Sequence, residues 1–205
     1  MLCYRGIFCK FVLNFATNIT MKNLKYILLL TILISVTGFA QEVKEIKWMT
    51  LDEALELQKQ SPKKIFMDVY TSWCGPCKML DKRTFHNPDV VDYISQNYYA
   101  VKFNAEGNST VNYKGKTYTN PNYKEELANR RNSPHRFTSY MRITGYPTLV
   151  FFDESGEFIT PLVGYKTPQQ LELFLKLFGT DKYKEFKTQE EYYKYYNAFV
   201  PQFKG

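Results

Sequence analysis

Cysteine, histidine and long apolar runs are all scarce in this chain of 205 residues. It holds four Cys and two His. A zinc site needs about four nitrogen or sulfur ligands, and a secreted fold that depends on disulfides spreads several pairs along its length. Four cysteines are too few for both. Only Tyr26 to Val36 forms an almost unbroken apolar run, and it is shorter than the roughly 20 residues of a membrane-spanning helix. No Gly/Ser-rich linker and no internal repeat divides the chain. Its length suits one well-buried domain with additions rather than two full domains.

Acidic residues are missing altogether from the first 40 positions, which carry Arg5, Lys10, Lys22 and Lys25. Met21-Lys22-Asn23-Leu24-Lys25 is a short basic start. The apolar run follows, and Gly38-Phe39-Ala40 then places small residues where a signal peptidase reads them. We expect residues 1–40 to be a signal peptide, with Met21 as a possible start and cleavage after Ala40 leaving Gln41 at the mature N-terminus. An uncleaved anchor is the alternative. Without this segment the 27 basic residues fall by four to 23 against 20 acidic ones, a net charge of +3. The basicity is then partly a targeting signal, and we expect no nucleic-acid partner.

Removal of the leader also takes away Cys3 and Cys9, so Cys74 and Cys77 are the only cysteines left. A bridge between residues so close in sequence closes a very small loop and stabilises little. Zinc would have only His86 and His135 to complete a site around the pair. We expect no metal and no cofactor.

Hydrophobic spacing predicts an α/β arrangement. Thr50-Leu51-Asp52-Glu53 is a capping box opening a helix with Leu51, Ala54, Leu55 and Leu57 near one face, stopped by Ser61-Pro62. Ile65 to Tyr70, apolar except for Asp68, predicts a buried strand. A helix should run from Cys74 to about Phe85, another should start at Asn87-Pro88, and Tyr98 to Phe103 should form a second buried strand. Thr148 to Phe152 and Glu157 to Val163 predict an antiparallel pair around Asp153-Glu154-Ser155-Gly156. Thr167-Pro168 opens a helix on which Leu171, Phe174, Leu175 and Phe178 share a face, stopped by Gly179. Thr188 caps a Tyr-rich helix reaching about Phe199.

Residues 105–139 differ in texture, being polar and rich in Asn, Lys and Tyr. A small hairpin around Gly115 and a short helix over Tyr123 to Arg131 are expected there. The order of elements gives a mixed central sheet flanked by helices. Residues 41–180 would be the domain, 105–139 an insertion within it, and 181–205 a C-terminal helical extension.

Trp73-Cys74-Gly75-Pro76-Cys77 falls where a buried strand ends and a helix begins. Unpaired N–H groups and the helix dipole favour an anion there. Such a setting lowers a thiol's pKa from about 8.5 to roughly 3.5–7.5, so Cys74 is expected to be the nucleophile. Cys77, one turn further in and expected to be more buried, suits resolving a mixed disulfide. Pro76 fits the first helical turn, where its missing N–H costs nothing.

The string Trp73 to Lys78 resembles thioredoxin, and more narrowly the exported thioredoxin-like proteins of bacteria. The likeness covers about residues 62–104 and 140–178 and implies a thioredoxin-like fold. It implies that Asp68 is the family's buried carboxylate, that Lys102 is the lysine near it, that Tyr146-Pro147-Thr148 is the cis-proline segment, and that Gly164 is the glycine in the turn beyond. Burial would raise the pKa of Asp68 and let it shuttle the proton of Cys77. The backbone at Pro147, beside Cys74, would pair with a substrate strand. The implied catalytic set is Cys74, Cys77, Asp68 and Lys102, with Trp73, Gly75, Pro76, Tyr146 and Pro147 binding substrate. Tyr70 and Thr71 depart from the aromatic-Ala pair common in cytoplasmic thioredoxins, and residues 105–139 are much longer than the family's usual link.

These features predict a monomeric periplasmic thiol–disulfide oxidoreductase that reduces disulfide-containing substrate proteins. The Gly-Pro pair between the cysteines resembles the reducing members of the family. A reductase in an oxidising compartment needs a membrane electron donor. The long insertion would set partner choice, or be a solvated excursion with no task. The alternative function is a redox-inactive binding protein or copper chaperone using the Cys pair as ligands. That alternative wants a third soft ligand over the pair, and Met79 is expected to point inward.

Overall fold

Alternation along one strand, β2 (Lys64–Tyr70), sorts the molecule into two layers of core around a sheet. Successive side chains on a strand point to opposite faces. Phe66 thus joins one apolar cluster, while Ile65, Met67 and Val69 join the other. Asp68 is the even-numbered neighbour of Phe66, so it shares Phe66's face. The computed structural model describes residues 44–205, and the expected leader with its cleavage after Ala40 lies outside the described residues. Among the described residues, no helix is long and apolar enough to cross a membrane.

The sheet has five strands in the order β1-β3-β2-β6-β7. β1 (Trp48–Met49) runs parallel to β3 (Tyr98–Asn104), and β3 runs parallel to β2. β6 (Thr148–Phe152) and β7 (Phe158–Val163) add antiparallel strands on the other side of β2. The sheet is therefore mixed. The short edge strand β1 has no apolar alternation long enough to announce it in the sequence.

Helix α1 (Leu51–Gln60) starts where the capping box predicts. The Thr50 hydroxyl accepts the Glu53 N–H at 3.2 Å, and the Glu53 carboxylate accepts the Thr50 N–H at 2.7 Å. The helix after the Cys motif is α-helical only over Gly75–Leu80 (α2) and continues as a π-helical turn over Asp81–Phe85. The Asn87 side chain caps α3 (Pro88–Asn97), accepting the N–H groups of Asp89 and Val90 at 3.0 and 3.3 Å.

The insertion packs on the sheet, which sets aside the alternative reading of a solvated excursion with no task. It contains the hairpin β4 (Val111–Tyr113) and β5 (Lys116–Tyr118), paired antiparallel. The helix expected over Tyr123 to Arg131 is reduced to a 3-10 turn at Glu125–Leu127. Asn132 competes for that backbone: its side chain accepts the Lys124 N–H at 3.0 Å and donates to the Lys124 carbonyl at 2.7 Å. A short helix that no hydrophobic spacing predicts, α4 (Arg136–Tyr140), follows. Tyr113, Tyr118 and Phe137 are buried against Met67, Val101 and Phe152, so this segment roofs one face of the sheet. The carbonyl of Ala105 accepts the His135 N–H at 2.8 Å and the Thr138 hydroxyl at 2.9 Å, which closes the neck of the insertion.

α5 (Pro168–Gly179) covers the opposite face. Its buried set is wider than the expected stripe and includes Leu173, Leu177 and the fully buried Glu172, while Phe174 is only partly buried. The C-terminal extension explains the difference. A 3-10 turn at Lys182–Glu185 and α6 (Gln189–Ala198) lead to Phe199 and Phe203, which pack against the same core. The Glu172 carboxylate accepts the N–H groups of Gln202 and Phe203 at 2.6 and 2.7 Å.

Candidate active site

Cys74 and Cys77 are joined in a disulfide at the start of α2. Cys74 is the residue that caps the helix, and its sulfur accepts the Cys77 N–H at 3.1 Å. Cys77 was expected to be the more buried, but the two are alike, at 3% and 5% exposed. In the bridge each sulfur covers the other, so the one at the helix start gains no extra access. Gly75 and Pro76 between them are exposed, and nothing lies within 4 Å of the place a Cβ on Gly75 would occupy. Met79, expected to turn inward, is 43% exposed. Cys77 and Leu80 take the inward positions of this short helix and leave Lys78 and Met79 on its outer side.

Strand register brings the polar partners together. Asp68 of β2 sits opposite Lys102 of β3, and both line a cleft of about 290 Å³ with Cys77, Tyr70, Thr71, Asp81 and others. Asp68 is buried, and its Oδ1 has no hydrogen-bond partner among the described residues. Burial is the main reason its carboxyl is pushed up to about 7; the Lys102 charge pulls it down and the Asp81 charge pushes it up. The Thr71 hydroxyl on the same cleft is likewise buried without a partner.

Lys102 pairs with Asp81 rather than with Asp68. Its ammonium also lies 5.0 Å from the Trp48 ring centre and 5.8 Å from that of Tyr70. Asp81 is a further residue of this cleft, not among those the motif implies. Its position four residues after Cys77, one turn of helix along the same face, is the signal that could have found it.

On the other side of the motif, the Tyr146-Pro147 peptide is cis. The Pro147 carbonyl accepts the Gly164 N–H at 2.8 Å, and Gly164 holds the turn with φ of +91°, a value that favours glycine. Thr148 donates its hydroxyl to the Gly145 carbonyl at 2.7 Å. Among the described residues the backbone N–H and carbonyl of Tyr146 have no partner. The Tyr146 ring meets Trp73 edge to face with centres 6.1 Å apart.

The insertion reaches this point as well. The Trp73 indole N–H donates to Glu106 Oε2 at 2.7 Å, and the same oxygen accepts the Asn132 N–H at 2.8 Å. Arg131 lies over the Trp73 ring at 4.7 Å from its centre. The Ser72 hydroxyl donates to the Ala128 carbonyl at 2.6 Å. No local spacing in the sequence announces Glu106 or Arg131, because both meet Trp73 only through long-range folding.

The model of a thioredoxin-like domain matches residues 51–179. Among curated proteins, the chain is 24% identical over 122 residues to the thiol:disulfide interchange protein DsbD of Pectobacterium atrosepticum, covering 58% of this chain and 17% of that protein. It is 41% identical over 46 residues to DsbD of Vibrio vulnificus, covering 22% of this chain and 8% of that one. The chain thus spans less than a fifth of the length of these two relatives. Among solved structures, a thioredoxin-fold protein from Helicobacter pylori matches with a TM-score of 0.51, covering 80% of this chain and 93% of that one at 19% identity. A thioredoxin from Thermus thermophilus matches at 0.50, covering 71% and 98% at 14% identity. At these identities the two structures speak to the fold alone.

Proposed function

This chain belongs to the thioredoxin-like family, and from that premise we propose that it is a thiol–disulfide oxidoreductase reducing protein disulfides through Cys74 and Cys77. One observation carries the proposal. A disulfide at a helix start shares its cleft with a buried carboxyl whose Oδ1 is unpartnered and whose pKa burial pushes up to about 7. A structural bridge has no use for such a neighbour.

In the reduced protein, the Cys74 thiolate attacks one sulfur of the substrate disulfide. That S–S bond breaks, a mixed disulfide forms, and the first substrate thiolate leaves. Cys77 then gives its proton to the Asp68 carboxylate and attacks the Cys74 sulfur. The second substrate thiolate leaves, and the protein carries the Cys74–Cys77 disulfide. An acid titrating near 7 both accepts and returns a proton at neutral pH, the range in which such transfer is most effective. Lys102, held by Asp81, tunes that carboxyl through its charge. Trp73, Gly75, Pro76 and the free backbone of Tyr146 beside Pro147 offer the surface for an extended substrate segment.

The compartment and direction rest on the sequence: a leader ending at Ala40, a single cysteine pair in the mature chain, and a Gly-Pro spacer. We place the protein in the periplasm as a monomer of one domain, residues 41–180, with the 181–205 extension packed on it. A membrane donor would return it to the dithiol form. The likeness to interchange proteins supports exchange chemistry.

The purified protein should reduce insulin with dithiothreitol as electron source, and Cys74→Ser should not. Absence of turnover by the wild type would overturn the proposal, and tight Cu(I) binding by that inactive protein would favour the metal-binding alternative.

A further inference from the structure

Three segments far apart in sequence converge on the indole that precedes Cys74. Glu106 takes the Trp73 N–H, Tyr146 meets it edge to face, and Arg131 lies over the ring. A guanidinium placed over an aromatic ring is held by its face and leaves its N–H edge free. That edge is what recognises a carboxylate, often through two parallel hydrogen bonds. Arg131 is exposed, and among the described residues it has neither a hydrogen-bond acceptor nor an ion-pair partner.

No ion pair among the described residues engages it. Arg130 beside it and Lys78, next to Cys77, are exposed and equally without an ion pair among the described residues. Glu125 and Glu126 on the neighbouring turn reach neither arginine. Glu106 Oε2 is committed to Trp73 and the Asn132 N–H. The backbone that carries Arg131 is itself pinned, by Asn132 N–H on Glu106 and by Ser72 on Ala128. The cation is therefore delivered to the rim of the disulfide on a fixed support, with its binding edge unused.

We propose that Arg131 is a specificity-determining residue, and that the partner segment it selects carries a carboxylate beside the cysteine that Cys74 attacks. This rests on the exchange function proposed above. The reduced protein supplies the electron pair: its two thiols become the Cys74–Cys77 disulfide as the partner's disulfide becomes two thiols. Arg131 takes no part in the bond changes and acts by holding the partner segment while they occur.

The test uses two disulfide-bonded peptides that differ only in Asp or Lys next to the attacked cysteine. Their rates of reduction by the fully reduced protein are compared within one sample, so any unfolded fraction cancels in the ratio. The wild type should favour the Asp peptide by about fivefold at low salt, the worth of one exposed ion pair at its upper range. Added salt should shrink that ratio. Arg131→Gln should lower it toward the part that Arg130 and Lys78 sustain, and Arg131→Glu should lower it further. A wild type without preference, or an Arg131→Glu ratio equal to the wild type's, would overturn the assignment. Failure of the wild type to reduce either peptide would instead strike the exchange function itself.

Discussion

Burial pushes the Asp68 carboxyl up to about 7, and that shift acts on both stability and rate. An acid whose folded value lies above its unfolded one binds an extra proton in the folded state between the two. The Asp68 contribution to stability therefore falls as pH rises from about 4 and reaches its floor above about 7. Asp68→Asn removes this titration. Urea unfolding should find the variant more stable than the wild type near pH 8, by as much as ~4 kcal/mol, with little difference near pH 4. The same substitution should slow the resolving step by about 100-fold and erase its inflection near neutral pH. An unchanged pH profile would remove Asp68 from the proton path. The cysteine pair is legible in its short motif, and the resemblance to thioredoxin extends that reading to the carboxylate and the proline segment. Asp81, Glu106 and Arg131 are not legible, because they contribute charges whose meaning depends on what the fold sets beside them.

Two segments outside the motif pack on the core, the insertion with buried side chains and the C-terminal extension with partly buried ones. Phe137 of α4 is fully buried and touches Phe103, Tyr113 and Tyr118 with ring centres 5.2 to 5.7 Å apart. Phe137→Ala should cost about 3–5 kcal/mol in denaturant unfolding; a cost near zero would return the insertion to a surface excursion. The segment read as polar because its few buried positions are aromatic rather than aliphatic, spaced irregularly among Asn and Lys. The caps of α1, α3 and α5 were readable in advance because capping is a contact between residues three apart. The 3-10 turn at Glu125–Leu127 was not, since the Asn132 side chain that displaces a helix there lies outside any helical window. At the other end of the chain, Glu172→Ala should free the C-terminal strap. The N–H groups of Gln202 and Phe203 lose their acceptor, and hydrogen exchange over residues 199–205 should accelerate while β2 and β3 stay protected.

Taken whole, the described residues place the redox pair between two unlike walls. One is the polar cleft of Asp68, Lys102 and Asp81 behind Cys77; the other is the Trp73, Tyr146 and Arg131 surface built with the insertion. The first resembles what the motif implies, and the second takes Arg131 from the insertion. Intact mass of the protein from its native host should correspond to a chain starting at Gln41, and a mass retaining the apolar segment would instead indicate an anchor. Most direct is the order of attack that the two cysteines are assigned. Reduced Cys77→Ala mixed with a disulfide substrate should accumulate a covalent adduct, located by peptide mass mapping on Cys74, while reduced Cys74→Ala should accumulate little. An adduct on neither variant, or equal adducts on both, would contradict the assignment of Cys74 as nucleophile and Cys77 as resolving thiol.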